Sequence, residues 1–527
     1  MTELRDVVTP PARRAAYVER GDWDASTLPG LVAAHAATRP DARAVVDEHG
    51  AHLTYADLWD RARGVSGFLA DAGIGDGDVV SVQLPNRLET AVVALGVLAS
   101  GAVINPLLPN YRARELAHVF ATARPRAVFT PAVFRDFDHE DLVDGTVAAT
   151  GVDPVHVVCD PVSRRGVTLD DVLAGHQLAP APAMRDPAAV SELIFTSGTE
   201  ATPKAIMHTE QTTNFSVRVA AADLGITGDD VVWMPSPLGH STGFNYGLRF
   251  ALYHGLPLVL QDRWDPAVAV DVVRREHCSY TLAATTFLRE LVAESTRRGV
   301  RVDSLRCFGC GGAPVPPALV EEGDAHGVRV LRLYGSTEAL VATWNRPDAP
   351  RAARLHTDGT PMTGVEVELR DGEIFVRGPN TCVGFFADPE RTAATFDADG
   401  WVRSGDLATL DADRNLTIVG RKKELIIRGG MNITPRELED MIGGFPEVAT
   451  TAVVGVPDER LGEVVCACVV LHEGTSLELA TVVARLREGG IATYKLPQRL
   501  EVLTALPTTA SGKIQKHEIV RQLEERA

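Results

Sequence analysis

The feature that most constrains this chain is an alternation of short apolar, β-branched runs with longer stretches of helical periodicity. Residues 79–82, 193–196, 231–234, 280–283 and 331–334 are runs of this kind. Such runs fit strands buried on both faces, and the stretches between them are long enough to cross back as helices. The pattern predicts an α/β fold in which helices cover largely parallel sheets. Ligands in such folds bind beyond the carboxyl ends of the strands, so the loops after these runs are where function should lie.

At 527 residues the chain exceeds the size at which one hydrophobic core keeps growing, so at least two domains are expected. The C-terminal part changes character. Residues 416–419 and 425–428 read as a hairpin-like pair around the charged turn Gly420-Arg421-Lys422-Lys423-Glu424. A helix follows, with Thr434 as cap, Pro435 in its first turn and Glu437 completing a capping box. Strands at 451–454 and 464–471 and a helix near 477–487 complete a small α+β unit. The domain boundary is placed at the charged turn, giving residues 1–422 and 423–527.

Lys and Arg total 52 against 70 Asp and Glu, a net charge of −18. That field repels nucleic acid and anionic membranes, and no basic run overrides it. Functional cations must therefore sit inside motifs. The opening residues lack the cationic start and apolar stretch of a signal peptide. Residues 90–108, the most apolar stretch, are interrupted by Gly96, Ser100, Gly101, Asn105 and Pro106. They read as a buried helix ending at Gly101 and a short core strand, not as a membrane span. The seven cysteines are scattered, and Cys307 and Cys310 form a lone CxxC that reads as core residues. A cytoplasmic protein is expected.

The strongest local signal is Phe195-Thr196-Ser197-Gly198-Thr199-Glu200-Ala201-Thr202-Pro203-Lys204. A strand feeding a loop of hydroxyls, a glycine and a lysine is a phosphate cradle in physical terms: amides and hydroxyls bond phosphate oxygens while Lys204 supplies charge. The spacing is not that of a Walker loop. Downstream come Gly311-Gly312-Ala313-Pro314, Tyr334-Gly335-Ser336-Thr337-Glu338, a segment ending in Ser404-Gly405-Asp406, the charged turn, and Ser511-Gly512-Lys513.

Together these motifs resemble the full set of the adenylate-forming superfamily of acyl-CoA synthetases, nonribosomal adenylation domains and luciferases, in order along the whole chain. The segments Pro235 to His240, His356 to Gly359, Arg428 to Gly430, Asp458 to Gly462 and Ser511 to Lys516 look most like those of medium-chain and alicyclic acyl-CoA ligases. The resemblance implies a large N-terminal domain, a small mobile C-terminal domain, and acyl-CoA formation from a carboxylic acid through an acyl-adenylate. It implies that Thr196, Ser197, Gly198, Thr199 and Lys204 hold phosphate. Gly311, Gly312, Ala313 and Tyr334, followed by Gly335 and Ser336, would face adenine; Asp406 would hold the ribose hydroxyls and Arg421 steady the nucleotide. Thr337 would contact the reacting carboxylate or α-phosphate, Glu338 magnesium, and Lys513 the charge developing at the α-phosphate. Lys423 matches the hinge, Arg428, Gly429 and Gly430 the face presented to CoA, and His240 the gate between acid pocket and CoA channel. The ligands so implied are the AMP moiety of an acyl-adenylate and coenzyme A, with ATP and Mg2+ where adenylation is active. No nucleic acid and no membrane span are expected.

Relatives that activate amino acids place an aspartate near His240; here Ser241-Thr242-Gly243-Phe244 offers no carboxylate, which favours an acid without an amine. The small residues of Phe308-Gly309-Cys310-Gly311-Gly312 leave room for a medium-length or ring-bearing hydrophobic acid. The phosphate loop departs from the family pattern at Glu200, Ala201 and Ala205. A carboxylate 4 Å from a phosphate charge opposes it by roughly 4 kcal/mol at an effective dielectric of 20, and an alanine forced to positive φ adds roughly 1–2 kcal/mol. Thioester formation is therefore expected to be intact and adenylation weak or absent, with a partner ligase supplying acyl-adenylate. A complete two-step synthetase, an adenylate-binding protein and a carrier-loading adenylation enzyme remain as alternatives.

Overall fold

The computed structural model describes residues 9–164, 166–175, 185–196, 203–508 and 514–526. They fall into two compact units, Met1–Val367 with Val376–Val402, and Glu368–Phe375 with Arg403–Ala527.

The first unit is built on two sheets. In the nine-stranded sheet the strands Val330–Ser336, Cys307–Cys310, Tyr280–Ala283, Val232–Met234, Leu258–Leu260 and Arg43–Val46 are parallel neighbours in that order. The seven-stranded sheet runs Lys204–Thr209, Val190–Thr196, Val103–Pro106, Val79–Val82, Ala127–Thr130, Val155–Val158, Val167–Thr168, parallel except for its first strand. All five apolar runs read from the sequence are strands. Helices supply the other layer. In Pro266–Arg275, Ala269, Val270, Val272 and Val273 form one buried face against Trp233, Val259 and Phe308. Asp265 caps that helix by accepting from the amides of Ala267 and Val268.

The apolar stretch near residue 100 is the buried helix Leu88–Ala99 followed by the strand Val103–Pro106. Gly96 is required there, because a Cβ would stand 2.6 Å from Val65 Cβ and 2.8 Å from the Ala62 carbonyl of the crossing helix. Cys307 and Cys310 are buried in their parallel strand, and burial pushes both thiols up to about 12. Among the described residues no helix is long and apolar enough to cross a membrane.

In the second unit the strands Val448–Asp458 and Gly462–Leu471 alternate between two cores. Val453, Val465, Ala467 and Val469 face the helices Pro435–Ile442 and Leu479–Glu488, while Val454, Cys466 and Cys468 face Ile519 and Leu523 of the helix Lys516–Glu524. Two sequence expectations fail here. Leu416–Arg421 pairs with Val402–Leu410, and Ile426–Arg428 with Met431–Ile433, so 416–419 and 425–428 form no hairpin with each other. Gly429 at φ 57° and Gly430 at φ 82° explain the choice, since two left-handed residues make the tight turn whose twist suits a hairpin. Thr434 precedes the helix but accepts no capping bond. Its methyl lies over Gly420, and Glu437 pairs with Lys495 at 2.5 Å instead. The compact units part between Val402 and Arg403, and the strand Leu416–Arg421 pairs within the second unit.

Candidate active site

The parallel strands of the larger sheet deliver several of the motif residues to one edge. Beyond the carboxyl ends of Val232–Met234, Cys307–Cys310 and Val330–Ser336 lie, respectively, His240, Gly311 to Ala313, and Thr337 with Glu338. Gly311 must be glycine because a Cβ would stand 2.5 Å from the Leu333 carbonyl. Tyr334 is buried on its strand, opposite Thr343.

The second sheet reaches the same place through a hairpin. Thr196 ends one strand and Lys204 begins the next, the two paired across the ladder. Lys204 Nζ donates to Glu338 Oε1 at 2.5 Å, so one ion pair ties the foot of the hairpin to the turn after Ser336. Burial works against the Glu338 carboxylate, but Lys204 outweighs it and holds the group below the usual range. Thr196 Oγ1 is buried and has no partner among the described residues. A carboxylate, an ammonium and a spare hydroxyl suit magnesium and phosphate oxygens. Ala205 does not carry the strain expected of it. It sits in the ladder opposite Phe195, is absent from the positive-φ residues, and its carbonyl accepts from the Phe386 amide at 2.9 Å. Ser197, Gly198, Thr199, Glu200, Ala201 and Lys513 lie outside the described residues.

The turn bearing Thr337 and Glu338 is held by residues that the motifs did not mark. His208 Nε2 donates to the Thr337 carbonyl at 2.7 Å, the Cys382 amide to the Glu338 carbonyl at 2.7 Å, and Asn380 Nδ2 to the Ala339 and Val341 carbonyls at 2.5 and 3.1 Å. Burial pulls His208 down to about 4, so it is a neutral donor. A histidine inside the apolar strand Lys204–Thr209 was the one sequence signal for it. Asn380 lies in a loop remote in sequence and gave none.

His240 Nδ1 accepts from the Thr242 amide at 3.2 Å, and the chain continues through Ser241–Gly243 into the π-helical segment Phe244–Arg249. The space beside Gly309 is narrower than its missing side chain suggests. A Cβ there would meet Leu282 and Leu333, each at 3.2 Å.

Asp406, Arg421, Lys423, Arg428, Gly429 and Gly430 belong to the second unit. Asp406, 6 % exposed, takes Arg421 Nε at 2.8 Å, and its amide donates to Ser404 Oγ at 3.0 Å. Lys423 is exposed in the short turn Lys422–Glu424, between Lys422, paired with Glu373 at 3.0 Å, and Glu424, paired with Lys516 at 2.8 Å. Arg428 donates to the Tyr494 carbonyl at 2.5 Å, and Gly429 and Gly430 form the exposed turn beside it.

The sequence matches the AMP-binding enzyme family over residues 32–386 and the AMP-binding enzyme C-terminal domain over residues 437–513. The medium-chain fatty-acid–CoA ligase of Escherichia coli (strain K12) is 36% identical over 525 residues, covering 96% of this chain and 92% of that enzyme. The 2-hydroxy-7-methoxy-5-methyl-1-naphthoate–CoA ligase of Streptomyces carzinostaticus is 33% identical over 529 residues, covering 95% and 94%. ATP-bound MatB from Rhodopseudomonas palustris has the same fold, with a TM-score of 0.85 at 28% identity over 94% of this chain and 99% of that one. The chain belongs to the AMP-binding enzyme family, among its AMP-forming acyl-CoA ligases.

Proposed function

We propose that this ligase joins a hydrophobic carboxylic acid, of medium chain length or bearing a ring, to coenzyme A in two steps on one chain. In the first, a carboxylate oxygen bonds to the α-phosphorus of ATP, the bond to the β-phosphate breaks, and pyrophosphate leaves. In the second, the thiol sulfur of CoA bonds to the acyl carbon, its proton is lost, and AMP departs. The observation that carries this reading is the Lys204–Glu338 pair at the carboxyl edge of the sheet, a cation and a carboxylate set where a triphosphate would end.

Lys204 and the 196–199 loop would bind the phosphates, and Thr337 the reacting oxygens. Glu338 is the residue suited to Mg2+, which when bound supplies charge neutralisation between phosphates. Tyr334 with Gly311 to Ala313, and Gly335 and Ser336 after it, would shape the adenine site. Asp406 would accept from the ribose and Arg421 steady the nucleotide, with Lys513 stabilising charge at the α-phosphate. Lys423, whose two neighbours are anchored to different elements, is assigned the hinge between the steps. Arg428, Gly429 and Gly430 would meet CoA, and His240 would gate the acid. The sequences of medium-chain and naphthoate ligases support a hydrophobic acid, as does the lack of a carboxylate at 241–244.

A second reading keeps thioester formation but slows adenylation, with acyl-adenylate supplied by another ligase. Glu200 favours it, as an anion within the phosphate motif; the Ala205 part of that argument is gone. ATP–pyrophosphate exchange with hydrophobic acids, run beside thioester formation from synthetic acyl-adenylate and CoA, separates the two. Exchange as fast as overall turnover supports the complete enzyme. Thioester without exchange supports the second reading, and neither activity removes both.

A further inference from the structure

The first unit contains a buried charge network outside the nucleotide residues. Arg249, at the end of the π-helical segment, has no exposed surface. Its Nη1 donates to Glu210 Oε2 at 2.7 Å and to Asn214 Oδ1 at 3.0 Å, its Nε donates to Asn245 Oδ1 at 3.1 Å, and its Nη2 lies 3.5 Å from Glu192 Oε2. Asn245 Nδ2 donates to Glu192 Oε1 at 2.7 Å and reaches Ser241 Oγ at 3.5 Å. Glu192 lies on the strand that feeds the phosphate loop, and Glu210 opens the helix after that hairpin.

From the same segment Tyr246 points elsewhere. Its hydroxyl accepts from the Val341 amide at 2.7 Å and contacts Ser216 Oγ at 2.6 Å. Val341 pairs with Gly335, next to the turn that bears Thr337 and Glu338. Asn245, Tyr246 and Arg249 thus touch the strand that feeds the phosphate loop, the strand that follows the Thr337–Glu338 turn, and the residue after His240. The wide turn matters, since π-helical stretches re-aim side chains and recur at functional sites. Here Asn245 and Arg249 converge on Glu192. A single guanidinium between two buried carboxylates is expensive to assemble for stability alone; an apolar replacement of like volume is often as stable.

We infer that Asn245 and Arg249 are positioning residues for acid selection: anchored to Glu192 and Glu210, they fix the π-helical segment and through Ser241 set where His240 and Phe244 stand. The inference rests on the acid-side reading of His240 given above. Cutting the link should change which acids are accepted and leave ATP use alone. The mouth of the acid site would shift while Lys204 and Glu338 stay paired.

The test is the ratio of kcat/KM for a short and a long straight-chain acid, with KM for ATP and the melting temperature measured alongside. Asn245→Ala keeps the Arg249–Glu210 ion pair and should change the ratio at least tenfold, raising KM for the acid with KM for ATP within twofold. Arg249→Met should move the ratio the same way and Arg249→Lys should partly restore it. Should Arg249→Met fail to fold, Asn245→Ala decides alone. A ratio within twofold of wild type in Asn245→Ala, whatever the melting temperature does, overturns the inference. His240→Ala is the control. If it too leaves the acid parameters unmoved, the acid-side reading falls with the inference; if it moves them, only the network role is lost.

Discussion

Glu338 Oε1 and Lys204 Nζ stand 2.5 Å apart, although they are 134 residues apart in the chain and come from different sheets. Their pairing makes the carboxylate proposed for magnesium and the ammonium proposed for phosphate mutually dependent. Glu338→Gln should therefore affect the first half-reaction far more than folding. ATP–pyrophosphate exchange is expected to fall about 10²- to 10³-fold, the scale of losing one group that stabilises a charged transition state. Lys204 is 27% exposed and Glu338 13%, so Lys204 can turn to water once its partner is neutral, and the melting temperature should fall modestly while exchange collapses. Exchange within threefold of wild type would detach Glu338 from the reaction.

His208 supports the same turn by a neutral hydrogen bond. His208→Leu leaves the Thr337 carbonyl without its donor, which costs about 1–3 kcal/mol in a buried setting. Stability measured by urea unfolding should fall by that amount, with exchange reduced about tenfold or more. His208→Gln retains a donor and should recover part of both. Equal behaviour of the two variants would contradict a hydrogen-bond role.

The division between what could be read and what could not follows from range. The strands 79–82 and 280–283 are short, apolar and locally punctuated, so their identity is written in consecutive residues. His240, Lys204 and Glu338 could be placed because each closes a motif that follows a strand. Asn380 and Cys382 could not, since a distant loop supplies both: Asn380 Nδ2 reaches the Ala339 and Val341 carbonyls and the Cys382 amide the Glu338 carbonyl. The mispaired hairpin arose because Gly429-Gly430 was read as a face for CoA and not also as the turn that pairs 426–428 with 431–433. The space at Gly309 was overestimated because Leu282 and Leu333 reach it from neighbouring strands.

Histidines shielded from water, among them the buried His208 and the half-buried His156, set a pH dependence of stability. Burial lowers His208 and His156 to about 4, against 6.5 when exposed. As pH falls from about 6.5 the unfolded chain takes up protons that the folded one refuses, so stability drops toward pH 4, by up to about 1.4 kcal/mol per unit for each group. Burial raises Glu192 to about 7, which works the other way between pH 7 and 4.5 and offsets part of the loss. The urea midpoint should fall from pH 6.5 to 5. His208→Gln should flatten that slope and Glu192→Gln should steepen it. The opposite order would contradict these assignments.

Gly430 holds φ 82° in the turn assigned to CoA, with open space around its missing Cβ. Gly430→Ala therefore acts through backbone strain of about 1–2 kcal/mol, not through a clash. Thioester formation from preformed acyl-adenylate should fall about tenfold, with exchange within twofold of wild type. A loss confined to exchange would move this turn to the other half-reaction.

The most direct test of the account is product analysis on the purified chain with ATP, Mg2+, CoA and a panel of medium-chain and aromatic acids. A ligase that completes both steps should yield AMP and acyl-CoA in equal amounts, with acyl-adenylate accumulating when CoA is withheld. If no acid yields AMP while synthetic acyl-adenylate is still converted to thioester, the two-step account is contradicted.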